Sequence, residues 1–144
     1  MKEHARILVP VDGTESSDHV VDVAVSLAQV LGASLDILFV SYFDSDTDDF
    51  REDSWLPASV AGPTFKEVDA ALERAHVRIP GAVPVVLHHE TGVPVKQILS
   101  FIKEHEVDMV VLGGRGLGVV QGFLVGSVSQ QVMEEAPCAV VIVK

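Results

Sequence analysis

A glycine-rich segment from Gly113 to Ser127 carries the residue types best suited to binding a phosphate. Glycine permits positive φ angles, and successive backbone N–H groups in such a segment can surround an anion. Ser127 follows Gly126 at the predicted start of a helix, where the first N–H groups have no helical partner and the dipole favours negative charge. Arg115 can donate two hydrogen bonds to phosphate oxygens. The segment therefore predicts a phosphate site.

Other phosphate-binding motifs fit this segment less well. The pattern GxxxxGK[ST] is absent. Gly116, Gly118 and Gly122 form a GxGxxxG string that resembles a dinucleotide fingerprint, but the next predicted strand, 139–143, has no carboxylate to bind a ribose. A nicotinamide-dependent enzyme is therefore a weakly supported alternative, and a glycine-rich surface loop without any ligand is another.

Asp12 is the second candidate, because it directly follows the first predicted strand. Its carboxylate could contact a ribose or a Mg²⁺ ion, since magnesium often binds through one carboxylate together with nucleotide phosphates. It could equally begin an Asx-turn that leads into the next helix. The residues alone leave both interpretations open.

Size and charge limit the classes of function. The chain has 144 residues, which predicts one domain, and a formal net charge of −11, which disfavours nucleic acid as a partner. No apolar run is long enough to insert into a membrane, and the N-terminus shows no signal peptide. With Cys138 as the single cysteine, we expect a cytoplasmic protein. An anionic ligand would have to be held by local backbone N–H groups, a cation or a metal.

Apolar runs and helical periodicities alternate along the chain. The runs predict strands at 5–11, 34–40, 83–88, 107–112 and 139–143. The periodic segments predict a helix capped by Ser16 or Ser17 that ends at Gly32, then helices at 64–79, at 94–105 and from Ser127 to before Pro137. This alternation predicts a single α/β domain, an open five-stranded parallel sheet with helices on both faces. Ligands bind such sheets at the carboxyl ends of the strands.

Two other groups of polar residues are not expected to bind metal. The acidic segment 41–62 is predicted to be an exposed loop. It does not match a calcium-binding loop, because Asp49 and Trp55 occupy the positions where such a loop needs Gly and Glu. His88 and His89 are adjacent on a predicted strand, so their side chains diverge. We interpret them as ordinary surface histidines.

The spacing Gly113-x2-Gly116-x9-Gly126-Ser127 resembles the G-x2-G-x9-G-[S/T] motif of ATP-binding universal stress proteins. The opening strand with its acidic turn (Ile7–Thr14), the strand that ends at Leu112 and the closing strand after Pro137 are also similar to that family. The resemblance covers the whole chain. It implies a Rossmann-like sheet in the order 3-2-1-4-5, in which strands one and four are neighbours. It also implies a homodimer formed through the C-terminal edge strand.

The resemblance further implies which residues bind ATP. Pro10, Val11 and Asp12 would line the adenosine end, and the Val40 backbone would bind adenine. Ribose and phosphates would be held by the residues around the glycine motif, namely Leu112, Gly113, Arg115, Gly116, Gly126, Ser127 and Val128.

A stress-response regulator or signalling module that works through nucleotide binding and homodimerisation is the function that the resemblance implies. A slow Mg-dependent ATPase is the alternative, with Mg²⁺ held by Asp12 and Ser127, although no residue is evident as a catalytic base. A pure interaction protein that dimerises and displays its acidic segment is a further possibility. The expected partners are thus ATP with Mg²⁺ and a second copy of the chain.

Overall fold

Five strands and four helices alternate along residues 4–42, 64–114 and 127–144, the residues that this computed structural model describes. The strands are β1 (Arg6–Pro10), β2 (Ser34–Tyr42), β3 (Val85–Gly92), β4 (Met109–Gly113) and β5 (Ala139–Val143). The helices are α1 (Glu15–Leu31), α2 (Phe65–His76), α3 (Pro94–Glu104) and α4 (Ser127–Glu135). None of these described helices is long and apolar enough to cross a membrane.

The strands form one parallel sheet in the order β3-β2-β1-β4-β5, which confirms the predicted fold class and strand order. β1 lies at the centre, with β2 on one side and β4 on the other. The chain moves outward from β1 to β3 and then crosses back to β4. The order therefore reverses between β1 and β4, and this is the position at which open parallel sheets bind ligands.

The sheet separates two apolar cores, as expected for strands that are buried on both faces. Ile7, Val9 and Ile37 face the core that α1 and α2 cover. Leu8 and Leu38 face the opposite core, which α3 and α4 cover. Neighbouring residues of one strand thus contribute to different cores, and both cores hold the carboxyl ends of β1 and β4 in place.

The start of α1 differs from the prediction. Thr14, in extended conformation, is the N-cap residue, and no side chain makes a capping hydrogen bond there. Ser16 and Ser17 already belong to the helix, so the expectation that one of them caps it was wrong. The predicted end is confirmed, because Gly32 adopts a left-handed conformation with φ of 65° after the last helical residue.

Strand β2 is longer than expected at its carboxyl end. Ser41 and Tyr42 continue the parallel pairing, opposite Thr91 and Gly92 of β3, so the first two residues of the predicted acidic loop belong to the sheet. The same pairing extends β3 to Gly92, beyond the predicted end at His88. The remainder of the acidic segment, residues 43–62, lies outside the described residues.

A polar cluster crosses the α3 side of the sheet. Asp36, only 2% exposed, accepts hydrogen bonds from Arg6 Nε and Nη2, each at 3.0 Å, and lies 2.8 Å from His88 Nε2. The hydrogen bonds to Asp36 raise the pKa of Arg6. His88 also packs edge-on against Phe101, with ring centroids 4.7 Å apart. The interpretation of His88 as an ordinary surface residue was therefore wrong.

Candidate functional site

The carboxyl ends of β1 and β4 meet α1 and α4 around a small cavity. Parallel pairing aligns Ile7 with Met109 and Leu8 with Val110, so the residues after both strands come to the same edge of the sheet. The lining residues are Pro10, Asp12, Ser16, Ser17, Val20, Leu112, Gly113 and Ser129. Four residues from the sequence-based prediction thus share one cavity: Pro10, Asp12, Leu112 and Gly113.

Asp12 is fixed by the first turn of α1. Its Oδ1 accepts hydrogen bonds from the Thr14 backbone N–H at 3.0 Å and from the Thr14 hydroxyl at 2.6 Å. The Ser17 hydroxyl donates to the same oxygen at 2.6 Å and accepts from the Asp12 backbone N–H at 3.0 Å. The Asx-turn interpretation is therefore correct for Oδ1. It does not exclude a ligand on Oδ2, which makes no hydrogen bond within residues 4–42, 64–114 and 127–144.

Ser129 ties α4 to the end of β4. Its side chain is 3% exposed, and its hydroxyl donates to the Gly113 carbonyl at 2.6 Å. Gly114 continues this anchoring, because its N–H donates to the Val143 carbonyl at 3.0 Å. The sequence analysis missed Ser129. The available signal was a hydroxyl beside Val128 on the first turn of a helix that directly follows the glycine-rich segment.

A wider cleft of about 510 Å³ lies on the α2 side of Asp12. It is lined by Asp12, Gly13, Phe39, Glu67, Ala70, Ala71 and Arg74. Gly13 has φ of +82°, and a Cβ there would lie 3.0 Å from the Ala71 Cβ, so only glycine suits this turn. Arg74 is held by the Asp18 carboxylate through two hydrogen bonds of 2.8 and 2.7 Å. Glu67 and Arg74 are thus further candidate residues that sequence reasoning missed.

A third cavity, of about 260 Å³, opens where α3 and α4 begin. It is lined by Tyr42, Val93, Pro94, Val95, Lys96, Ser127, Val128 and Gln131. The predicted Ser127 and Val128 therefore line a different cavity from Asp12 and Gly113. Lys96 is a cation on this cavity that the sequence analysis did not single out, and it makes no ion pair within the described part of the chain.

The remaining predicted residues are core residues or lie outside the described ranges. Val11 is 1% exposed, and its backbone N–H donates to the Leu38 carbonyl at 2.9 Å. Val40 packs into the α3–α4 core together with Val95 and Val128. Arg115, Gly116 and Gly126 lie outside the described residues.

The residue types at this edge would suit Mg²⁺ only together with a ligand that supplies most of its oxygens. No group of three or more His, Cys, Asp and Glu side chains within the described residues could hold a metal ion. Asp12 offers one carboxylate oxygen, and Mg²⁺ commonly binds through one carboxylate plus substrate phosphates. A site for magnesium alone is therefore not supported, whereas magnesium carried by a phosphate ligand fits the chemistry of Asp12.

Comparisons with known proteins agree with the fold. Residues 4–144 match the profile of the universal stress protein family. A universal stress protein of Mycobacterium tuberculosis is 30% identical over 148 aligned positions, which cover 99% of this chain and 98% of that protein. The solved structure of the universal stress protein UspA from Lactobacillus plantarum superposes with a TM-score of 0.73 at 26% identity and covers 100% of both chains.

A second solved structure carries a ligand. It is a universal stress protein in complex with cAMP, which superposes with a TM-score of 0.65 at 26% identity and covers 97% of this chain and 96% of that one. The match to the family profile extends over nearly the whole sequence, and the M. tuberculosis relative aligns end to end. The chain therefore belongs to the universal stress protein family.

Proposed function

We propose that this chain binds ATP together with Mg²⁺ at the carboxyl edge of its sheet and acts in the cytoplasm as a stress-response regulator or signalling module. The observation that carries the proposal is the motif from Gly113 to Ser127, whose first residue ends β4 beside Asp12 and whose last residue begins α4. A helix start of this kind offers free N–H groups and a positive dipole end to a phosphate.

In the proposed complex, Pro10, Val11 and Asp12 line the adenosine end, and the Val40 backbone binds adenine. The residues for ribose and phosphates are Leu112, Gly113, Arg115, Gly116, Gly126, Ser127 and Val128. Asp12 is also the proposed protein ligand of Mg²⁺. The complex with cAMP of a family member supports an adenine nucleotide as the class of ligand.

Charge makes local cations important for this proposal. The formal net charge of −11 repels a nucleotide, so binding depends on groups close to the phosphates. Lys96 shares a cavity with Ser127 and Val128 and has no carboxylate partner among the described residues. We therefore add Lys96 to Arg115 and the helix N–H groups as a source of positive charge for the phosphates.

The environment of Asp12 favours ATP binding over ATP hydrolysis. A general base must be free to take a proton from the attacking water. Oδ1 of Asp12 already accepts three hydrogen bonds, so this oxygen is not free for that role. Incubation with labelled ATP tests the alternative, a slow ATPase. Turnover that disappears in the Asp12→Asn variant would favour hydrolysis.

Homodimerisation through β5 is the second part of the proposal. β5 (Ala139–Val143) is an edge strand whose other side is covered by β4, and its side chains from Val140 to Val143 are partly exposed. An apolar edge strand of this kind is an available surface for pairing with another chain. Sedimentation velocity should give a mass of two chains. A mass of one chain at micromolar concentrations would contradict this part.

Calorimetry with Mg-ATP tests the binding proposal directly. Gly126→Val changes the motif and should abolish binding. Gly81→Val is the matched control, because Gly81 lies before the amino end of β3, at the end of the sheet opposite to the site. A Cβ at Gly81 meets nothing within 4 Å. Any nucleotide that co-purifies with the protein should be identified by mass. Equal binding by both variants, or no binding by the unchanged protein, would refute the proposal.

A further inference from the structure

The Asp12 carboxylate is held unevenly. Oδ1 accepts hydrogen bonds from the Thr14 N–H, the Thr14 hydroxyl and the Ser17 hydroxyl, at 3.0, 2.6 and 2.6 Å. Oδ2 accepts none from residues 4–42, 64–114 or 127–144. Asp12 lines both the small cavity and the wider cleft beside α2. Within the described part of the chain, one oxygen is therefore used by the protein and the other accepts no hydrogen bond.

Ser17 is the residue that fixes Asp12 from two sides. Its hydroxyl donates to Oδ1 and also accepts from the Asp12 backbone N–H at 3.0 Å. The Ser17 hydroxyl thus forms a closed hydrogen-bonded ring with the backbone N–H and the side chain of Asp12. Such a ring restricts rotation of the carboxylate about its χ angles. Thr14 contributes two hydrogen bonds to Oδ1, and neither of them involves the Asp12 backbone.

We infer that Ser17 is a positioning residue for nucleotide binding, acting through Asp12 by keeping Oδ2 oriented as the acceptor oxygen that faces the nucleotide and its Mg²⁺. The inference rests on the proposed ATP binding. Ser17 itself touches no nucleotide in this scheme. Its contribution is pre-organisation, since a carboxylate that is already held loses less freedom when the ligand binds.

A purely local role for Ser17 makes a different prediction. If its hydroxyl only joins β1 to the first turn of α1, then its removal should lower the stability of the free protein and leave nucleotide affinity unchanged. Affinity and stability must therefore be measured on the same variants. Ser16 provides the matched control, because it lines the same small cavity but its hydroxyl makes no hydrogen bond within the described residues.

The test is calorimetry with ATP and MgCl₂ on five variants, with thermal unfolding recorded without nucleotide. The variants are Ser17→Ala, Ser17→Thr, Ser16→Ala, Asp12→Asn and the double variant Asp12→Asn/Ser17→Ala. Asn keeps an oxygen for the Thr14 and Ser17 donors but turns the other position into a donor, so the turn is retained while the acceptor is lost. Ser17→Thr keeps the hydroxyl.

Ser17→Ala should weaken ATP binding about tenfold, which corresponds to about 1.4 kcal/mol. Ser16→Ala should stay within about twofold of the unchanged protein, and Ser17→Thr should recover most of the affinity. The double variant should bind no more weakly than Asp12→Asn alone, because a residue that acts through Asp12 has no further effect once the Oδ2 acceptor is lost.

Two results would overturn the inference while leaving ATP binding intact. The first is equal affinity of Ser17→Ala and Ser16→Ala. The second is a double variant whose loss equals the sum of the two single losses, which would mean that Ser17 acts independently of Asp12. If the unchanged protein takes up no ATP, the proposed function itself fails, and the inference fails with it.

Discussion

Replacing Arg6 by methionine should destabilise the protein strongly, because it removes the arginine partner of the buried Asp36. The Asp36 carboxylate is 2% exposed and receives two of its three close contacts from the Arg6 guanidinium, at 3.0 Å each. Methionine retains much of the aliphatic volume of arginine but cannot donate a hydrogen bond. Asp36 would then depend on His88 alone, at 2.8 Å.

The size of this effect follows from burial. Removing one member of a buried ion pair typically costs about 3–5 kcal/mol, because an uncompensated charge remains inside the protein. The Arg6 side chain is 34% exposed, so water already screens part of the interaction. We therefore expect the free energy of unfolding to fall by about 2–3 kcal/mol. The midpoint of thermal unfolding should fall by roughly 4–12 °C.

Urea unfolding at a matched protein concentration measures this loss. Arg78→Met is the control, because Arg78 binds Asp22 with the same two-bond geometry, at 2.9 and 2.6 Å, but on the surface. An exposed pair of this kind contributes little to stability. The control should therefore shift the urea midpoint much less than Arg6→Met does.

Equal losses in Arg6→Met and Arg78→Met would refute the reasoning, because burial would then have no influence. The double variant Arg6→Met/Asp36→Leu gives an independent check. It removes both charges, and buried ion pairs can often be replaced by apolar residues at little cost. It should be more stable than Arg6→Met alone.

Two further predictions concern the packing of helices near the site. Ser129→Ala should lower the free energy of unfolding by about 1 kcal/mol, because the 2.6 Å hydrogen bond from the buried Ser129 hydroxyl to the Gly113 carbonyl is lost; urea unfolding measures this. Acid should weaken the contact between α1 and α2. The hydrogen bonds from Arg74 lower the pKa of Asp18, so this contribution is present above the ordinary aspartate pKa of about 3.9 and is lost as the pH falls through the lower folded value.

Each of these predictions has a matched control. Ser26→Ala removes an exposed hydroxyl that bonds within α1 at 3.2 Å and should leave stability nearly unchanged; a loss equal to that of Ser129→Ala would contradict the first prediction. Between pH 7 and about pH 3, the free energy of unfolding should fall less for Asp18→Asn than for the unchanged protein. Asp69→Asn, an exposed change on α2, should lose as much as the unchanged protein. Parallel acid profiles for all three proteins would contradict the second.

Apolar pattern alone was sufficient to predict most of the architecture. The run 139–143 is apolar at every position and 34–40 is mostly apolar, which predicts cover on both faces of the sheet. The helical segments between such runs predict parallel strands. The strand order came from the resemblance, which depends on a glycine and serine spacing that is local in sequence. The sequence pattern placed Gly113 directly after the fourth strand and Ser127 at the start of the last helix, whereas β4 includes Gly113 and α4 begins at Ser127 as predicted.

The polar contacts could not be predicted, because most of them join residues that are distant in sequence. Arg6, Asp36 and His88 meet only because three strands pair in one register. Nothing in the local sequence of His88 distinguishes it from a surface histidine. Capping preferences also predicted the wrong N-cap for α1, because Thr14, Ser16 and Ser17 all carry a hydroxyl that can cap a helix.

Sequence by itself thus determined the α/β class, the family and the edge of the sheet at which chemistry would occur. Only the tertiary structure decided how the candidate residues are held. Asp12 was identifiable as a possible ligand from its place after β1, but the use of one of its oxygens by both Thr14 and Ser17 depends on how the turn after β1 brings the first turn of α1 against the carboxylate. The physical reason is that hydrogen bonds require distances accurate to a few tenths of an ångström, whereas sequence patterns specify only which face of an element is buried.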